Sequence, residues 1–307
     1  MKYTLGVIGA GNMGAALVRG IVRAGALSAG RIAVSDADPG RAAALAAELG
    51  VTQGATNREL ASASEHLLLA VKPGIVPSVL GEIAPALTPA QTLVSIAAGV
   101  PIARIRAALG DAKPAIVRVM PNTPALVGAG VFAVSAPGMP EERRSDLTRL
   151  LGAVGLVVEV GEELMDAVTG LSGSGPAFVF VLIEALADGG VGAGLPRPLA
   201  QQLAVQTVAG AAKLVQESGQ HPGALKDMVA SPGGATIAGL AELERGGFRG
   251  LVAAAVRAAA QRSRELSAGG PSTLQDPEGA PQGPRGAGSG SPQSEPQGPP
   301  RAQSRGG

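Results

Sequence analysis

The chain has no cysteine, which removes disulfides, thiolate metal sites and cysteine nucleophiles. It also has no tryptophan, one tyrosine and four phenylalanines, so aromatics are only 2% of its 307 residues. Any core must therefore be built mainly from alanine, valine and leucine, and a 46% apolar fraction supplies them. Two histidines, His66 and His221, argue against a histidine-rich metal cluster and against a Ser-His-Asp triad; no metal site is expected. An excess of one charge is missing as well. With 25 basic and 24 acidic residues the net charge is +1, which gives no reason to expect nucleic acid or a membrane surface as partner. The longest apolar runs, such as Pro176 to Ile183, read as too short for the roughly 20 residues of a membrane span. Met1-Lys2-Tyr3 leads straight into a strand pattern, without the basic and apolar zones of a signal peptide, so a cytoplasmic protein is expected.

What the sequence does have is alternation. Leu5 to Ile8, Arg31 to Ser35, His66 to Val71, Thr92 to Ile96 and Ala115 to Val119 are short apolar runs. They alternate with helical patterns such as Met13 to Ala24 and Gly40 to Leu49. Such alternation predicts a doubly wound parallel sheet, completed by strands at Gly130–Val134 and Val154–Val160. From Glu162 to Ala268 the pattern is helical throughout, with candidates at Pro176–Gly189, Pro198–Gln216, Pro222–Val229, Ala235–Glu244 and Phe248–Ser267. Stretches such as FVFVLIEALADGGV are apolar on more than one face and need a partner surface, which dimerisation or an internal helix bundle would provide. The expected organisation is a Rossmann-type α/β domain over 1–161, an all-α dimerisation domain over 162–268 and a disordered tail over 269–307. The tail holds 10 glycines and 8 prolines against one leucine, too little apolar surface to offset its ordering entropy.

Two glycine turns carry the chemistry. Gly9-Ala10-Gly11-Asn12-Met13-Gly14 follows a strand and opens a helix, the setting in which this spacing binds a dinucleotide. Gly9 makes the tight turn, Gly11 admits the pyrophosphate, and Gly14 lets helix pack on strand. Asp36 ends the second strand, where an acid accepts bonds from an adenosine ribose 2′-hydroxyl; this favours NADH. Ser35 and Arg41 are near enough to serve a 2′-phosphate if Asp36 turns away, so NADP(H) and NAD(H) both stay open. Ala70-Val71-Lys72-Pro73 and Ala97-Ala98-Gly99 end two further strands at the ligand-binding edge of such a sheet, and Lys72 is a proton donor, an anion contact or a plain strand cap there. Asn122, in Met120-Pro121-Asn122-Thr123-Pro124, suits bonding to backbone. Thr169 to Pro176 reads as a compact turn that seats the helical region near the cofactor. The second anion-holding turn is Ser231-Pro232-Gly233-Gly234-Ala235-Thr236, where backbone N–H groups, a helix N-terminus and two hydroxyls suit a carboxylate. Ordinary helix capping by Ser231 or Thr236 is the simpler reading of that turn taken alone.

GVIGAGNMG, LLAVKP, VSIAAGV, MPNTPALV, TGLSGSGPAF, GQHPGALKDMV and SPGGATIAGL follow one another in this order. Over residues 4–268 the chain resembles pyrroline-5-carboxylate reductase, with SPGGAT the most diagnostic stretch. The resemblance implies reduction of 1-pyrroline-5-carboxylate to L-proline, a helical domain that interlocks with a second subunit, and homodimers that assemble in some members into decamers. It implies cofactor contacts at Ile8, Gly9, Ala10, Gly11, Asn12, Met13, Asn57, Ala70, Val71, Lys72, Pro73, Ala97, Ala98 and Gly99. It implies a substrate carboxylate on Ser231, Gly233, Gly234 and Ala235, and Thr236 at the ring nitrogen. The family commonly prefers NADPH but includes members that use NADH well, and Asp36 departs from the NADPH pattern. The alternative is another Rossmann-type imine or hydroxy-acid oxidoreductase. Hydroxy-acid members rely on a lysine of the helical domain, and here only Lys213 and Lys226 follow Glu162, neither in a glycine-rich turn.

Overall fold

The apolar runs of the first 135 residues become strands because each is covered on both faces, whereas the run after Val154 forms a partly exposed edge strand. A computed structural model describes residues 1–269. Its strands are β1 (Tyr3–Ile8), β2 (Ile32–Ser35), β3 (Thr52–Gln53), β4 (Ser64–Leu69), β5 (Thr92–Ser95), β6 (Ala115–Pro121), β7 (Gly130–Ser135) and β8 (Gly155–Glu159). Between them lie α1 (Asn12–Arg23), α2 (Pro39–Leu49), α3 (Asn57–Ala63), α4 (Val76–Ile83), α5 (Ile102–Leu109) and α6 (Glu141–Gly152). The strands form one sheet in the order β3-β2-β1-β4-β5-β6-β7-β8. Successive residues point to opposite faces, so Val7, Leu68, Val94 and Val117 pack under Leu17, Ile21 and Leu151, while Ile8, Leu69, Leu93 and Ile116 pack under Val76, Leu80, Ile83 and Ile105. Burial on both faces is why the strands read as continuous apolar runs rather than alternating ones.

Three details differ from expectation. The sheet is mixed, because β7 runs antiparallel to β6, with Met120 opposite Ala133. Only a short 3-10 turn over Thr123–Val127 joins them, too little chain for the crossover that a parallel pair needs. A two-residue strand, β3, adds an edge beside β2 without any apolar run to announce it. And β4 starts and ends two residues earlier than read, which leaves Ala70 and Val71 beyond the strand end.

The rest of the described chain is helical: α7 (Met165–Val168), α8 (Gly175–Gly192), α9 (Arg197–Ser218), α10 (Pro222–Met228), α11 (Ala235–Arg245) and α12 (Phe248–Ser267). The expected compact turn at Thr169 to Pro176 is a correction. Thr169–Gly173 is a π-helical segment, and the helix runs on from Glu162 to Gly192. The hydroxyl of Thr169 donates to the Met165 carbonyl at 2.8 Å and that of Ser172 to the Val168 carbonyl at 3.1 Å. These bonds occupy carbonyls that the wider π geometry rearranges, so the helix survives its glycines. At Gly170, a Cβ would come within 2.6 Å of the Val256 carbonyl; its absence lets α12 pack directly on the helix.

This 31-residue helix is also long and apolar enough to cross a membrane by length and composition, contrary to the reading of its separate runs. Its outer face is bare: Leu171, Phe180 and Val181 are 65%, 62% and 65% exposed. The α8–α9 pair buries only Ala187, Ala200 and Ala204 in an apolar cluster of its own. Of the tail expected to be disordered, everything beyond Gly269 lies outside the described residues.

Candidate functional site

The sheet order places its switch point between β1 and β4, and a cleft of about 810 Å³ opens there at their carboxyl ends. The glycine turn forms its floor. Gly9 adopts φ +107° and bonds its N–H to the Ser35 carbonyl at 2.7 Å. A Cβ on Gly14 would sit 2.0 Å from the Gly9 carbonyl oxygen, so only glycine lets α1 begin this close to β1. α1 is capped by Gly11, with no side chain accepting from its first N–H groups. Those donors and the positive helix end face the cleft, the arrangement that a pyrophosphate fits.

At the far rim Asp36 is firmly placed. Its Oδ2 accepts from the Ala10 N–H at 2.7 Å and its Oδ1 from the Asp38 N–H at 2.9 Å, so it does not turn away from the cleft it lines. Beside it stand Arg41, 3.4 Å from Asp38, and Arg19, whose guanidinium is paired with Glu48 at 2.6 Å. Ser35 is buried and donates to Asn57 Oδ1 at 2.8 Å, and Asn57 Nδ2 donates to Glu82 at 2.8 Å.

The cleft gathers most of the expected cofactor residues: Ile8, Gly9, Ala10, Gly11, Asn12, Met13, Asp36, Asn57, Ala70, Val71 and Lys72. Ser35, Pro73, Ala97, Ala98 and Gly99 are not among its lining. Ser35 supports the rim through Asn57, and Gly99 instead lies against Leu266 and Ser267 at the end of α12. Sequence reasoning missed Ala15, Arg19, Ala37, Ile75 and Val79 as lining residues, because nothing in their own spacing marks them. Asn122 is a backbone tie: its Oδ1 accepts from Val131 N–H at 2.8 Å and its Nδ2 donates to the Ser172 carbonyl at 3.1 Å.

The second turn lies elsewhere. Ser231, Gly233, Ala235 and Thr236 are exposed and Gly234 is half-buried; none of the five lines the cleft. Gly233 takes φ +66°, and Gly234, not Ser231 or Thr236, is the N-cap of α11, with no side-chain capping bond. The simple capping reading of the two hydroxyls is therefore wrong: the helix start has open N–H groups with Ser231 and Thr236 beside them. The lysines of the helical region are engaged in exposed ion pairs, Lys213 with Glu217 at 3.6 Å and Lys226 with Asp227.

Residues 162–266 match the family model described as pyrroline-5-carboxylate reductase dimerisation, and residues 4–99 match one described as NADP oxidoreductase coenzyme F420-dependent. The pyrroline-5-carboxylate reductase of Pisum sativum is 48% identical over 267 residues, which cover 87% of this chain and 97% of that protein. The chain belongs to the pyrroline-5-carboxylate reductase family. Its relative from Synechocystis is likewise 48% identical, over 87% of this chain and 99% of the other. Among solved members of the family, the Plasmodium falciparum enzyme with NADP bound superposes with a TM-score of 0.78 at 35% identity, covering 87% of this chain and 99% of that one. The Coxiella burnetii enzyme gives 0.81 at 35% identity, with the same coverage.

Proposed function

We propose that the protein reduces 1-pyrroline-5-carboxylate to L-proline with NAD(P)H, the last step of proline biosynthesis. One observation carries the reading at the level of residues. The Ser231–Thr236 turn is a helix start with open N–H groups and two uncommitted hydroxyls, in a chain that already has a separate dinucleotide cleft. Two anions need two turns.

When bound, NAD(P)H supplies the hydride that the imine carbon accepts. The chain's own residues hold and orient. The N–H groups at Gly11, Asn12 and Met13 face the pyrophosphate, and Ala70, Val71, Lys72 and Pro73 border the cofactor further along. Ala97, Ala98 and Gly99 stand at its nicotinamide end. The Ser231 hydroxyl and the amides of Gly233, Gly234 and Ala235 hold the substrate carboxylate. The Thr236 hydroxyl holds the proton at the ring nitrogen. A protonated cyclic imine is already electrophilic, so placement matters more than an acid–base pair. This accords with a chain that has two histidines and no cysteine.

The bare faces of α8 and α9 support a homodimer through residues 162–268, with the turn of one subunit completing the cleft of the other. Decamers built from such dimers extend the same reading. A net charge of +1 supports a cytoplasmic enzyme without nucleic-acid or membrane partners; the apolar helix face is assigned to the partner subunit.

Both dinucleotides are used, with NADH preferred. The Asp36 carboxylate keeps lone pairs free for a ribose 2′-hydroxyl but sets a negative charge against a 2′-phosphate. Arg41 on the same rim is shared with Asp38. The test is turnover: purified protein given 1-pyrroline-5-carboxylate oxidises NADH and, less efficiently, NADPH, and Asp36→Ser moves the ratio of kcat/KM values toward NADPH. No oxidation of either dinucleotide rejects the activity; an unmoved ratio rejects the role of Asp36.

A further inference from the structure

The Ala97–Gly99 turn is held by residues far away in sequence. It leads through Pro101 into α5, and Pro101, the N-cap, has no side-chain acceptor to offer the first N–H groups of that helix. The missing acceptor is Glu162. Its Oε1 takes the Ile102 N–H at 2.7 Å, from the residue that begins the helical region. The same oxygen lies 3.4 Å from Nη1 of Arg118, whose side chain is 6% exposed. Arg118 is paired in register with Ser95 across β5 and β6, two residues before Ala97. A buried guanidinium requires a fixed counter-charge, and the positive end of α5 favours an anion at the same spot. One carboxylate answers both.

The opposite side of the turn is also held by the helical region. A Cβ on Gly99 would lie 3.4 Å from Leu266 Cβ, and Arg104 donates to the Ser267 carbonyl at 2.9 Å. Asp166, one helical turn after Glu162, accepts from the hydroxyls of Ser263 at 2.6 Å and Ser267 at 3.1 Å. The first turn of the 162–192 helix thus fixes the start of α5 on one side and the end of α12 on the other.

We infer that Glu162 is a positioning residue. Its carboxylate, anchored by Arg118, sets the start of α5 and with it the Ala97–Gly99 turn against the nicotinamide end of the cofactor. Through it, seating of the helical region is coupled to the geometry of the dinucleotide site. The inference rests on the reading that this turn borders the nicotinamide.

The test uses the full chain with Glu162→Ala and Glu162→Gln. In cofactor-free protein, Glu162→Ala speeds amide exchange over residues 97–104 by about tenfold, since opening there no longer breaks the Ile102 bond. With ligands present it raises the Kd for NADH about threefold and lowers kcat about tenfold, the scale of a small misplacement of reacting groups. The KM for 1-pyrroline-5-carboxylate stays within about twofold, because the Ser231–Thr236 turn is untouched. Glu162→Gln recovers most but not all of each of the three quantities, since its amide oxygen accepts the same N–H while leaving Arg118 without its counter-charge. Should Glu162→Ala not fold, Glu162→Asp, which withdraws the carboxylate by one methylene, shows the same changes. Wild-type exchange and kinetics in Glu162→Ala overturn the inference. A Gln variant as impaired as Ala does the same, as does faster exchange with unchanged Kd and kcat. Failure of the proposed function registers separately, as a wild-type protein that turns over neither dinucleotide.

Discussion

The two halves of the described chain treat their apolar residues in opposite ways. In the sheet half, Val7, Leu17, Leu67, Leu93 and Phe132 are at most 0% exposed, and two helical layers seal both faces. In the helical half, Phe180, Val181, Leu203, Val205 and Leu251 stand open, and the local apolar cluster is three alanines. A single chain completes the first core and leaves the second unfinished. A large apolar surface of this kind needs a covering partner. The same contrast extends to the two anion-holding turns. The Gly9–Gly14 turn is built into its cleft by bonds that Gly9 and Ala10 donate to Ser35 and Asp36, whereas the Ser231–Thr236 turn is exposed and tied mainly to its own loop.

Four changes break or sharpen that contrast. Val181→Asp places a carboxylate on the bare face, where burial without a partner costs several kcal/mol or more. It is expected to yield monomer by sedimentation and to abolish turnover while NADH binding persists; a stable, active dimer would remove this face from the interface. Phe132→Ala empties a fully buried position in the sheet and costs about 3–5 kcal/mol of stability. The oligomer is unchanged there, and the measurement is denaturant unfolding beside sedimentation. Thr236→Ala removes an exposed hydroxyl with no capping role, so stability holds while kcat/KM falls by roughly 10–10³-fold, the scale of one lost active-site hydrogen bond. Wild-type kinetics would remove Thr236 from the mechanism.

The smallest expected effect is on pH. His66 is 2% exposed in β4, beside Thr92 of β5, and neither His66 Nδ1 nor Thr92 Oγ1 has a hydrogen-bond partner. Burial pushes the His66 pKa below its ordinary value, and Arg143 and Arg149 push the same way, against the opposing pull of Asp146 and Glu65. The unfolded chain then binds the proton more readily than the folded one. Stability from this group is complete above the unfolded pKa of about 6.5 and declines as pH falls from there toward the lowered folded value. The thermal midpoint of His66→Leu should fall less than that of wild type between about pH 7 and pH 5.5; parallel declines would show that other groups set the acid limit.

Much of this was legible in the residues. GAGNMG after an apolar run marks a strand, a turn and a helix by steric necessity at Gly9 and Gly14, and the cleft forms there. Val34-Ser35-Asp36 places an acid at the rim because strand length and sheet register leave it nowhere else. The seven motifs together pointed to the family. The direction of β7 was not legible, since a strand pattern is the same read either way and only the short link decides. Thr169 to Gly173 misled because glycine and serine favour turns locally, while packing of α12 on Gly170 and two hydroxyl bonds favour a helix. Arg118 and Glu162 carry no local signal at all.

The sequence by itself determined the local geometry: where glycine is obligatory, which runs are buried on both faces, and which helices are apolar all round. Those are short-range properties, fixed by backbone sterics and by the period of the apolar residues. Tertiary structure alone decided which distant groups share a site. It brought Glu162 to Ile102 and Arg118, and the end of α12 to Gly99 and Arg104. Contacts across 44 to 160 or more residues depend on how layers stack, and no spacing along the chain encodes them.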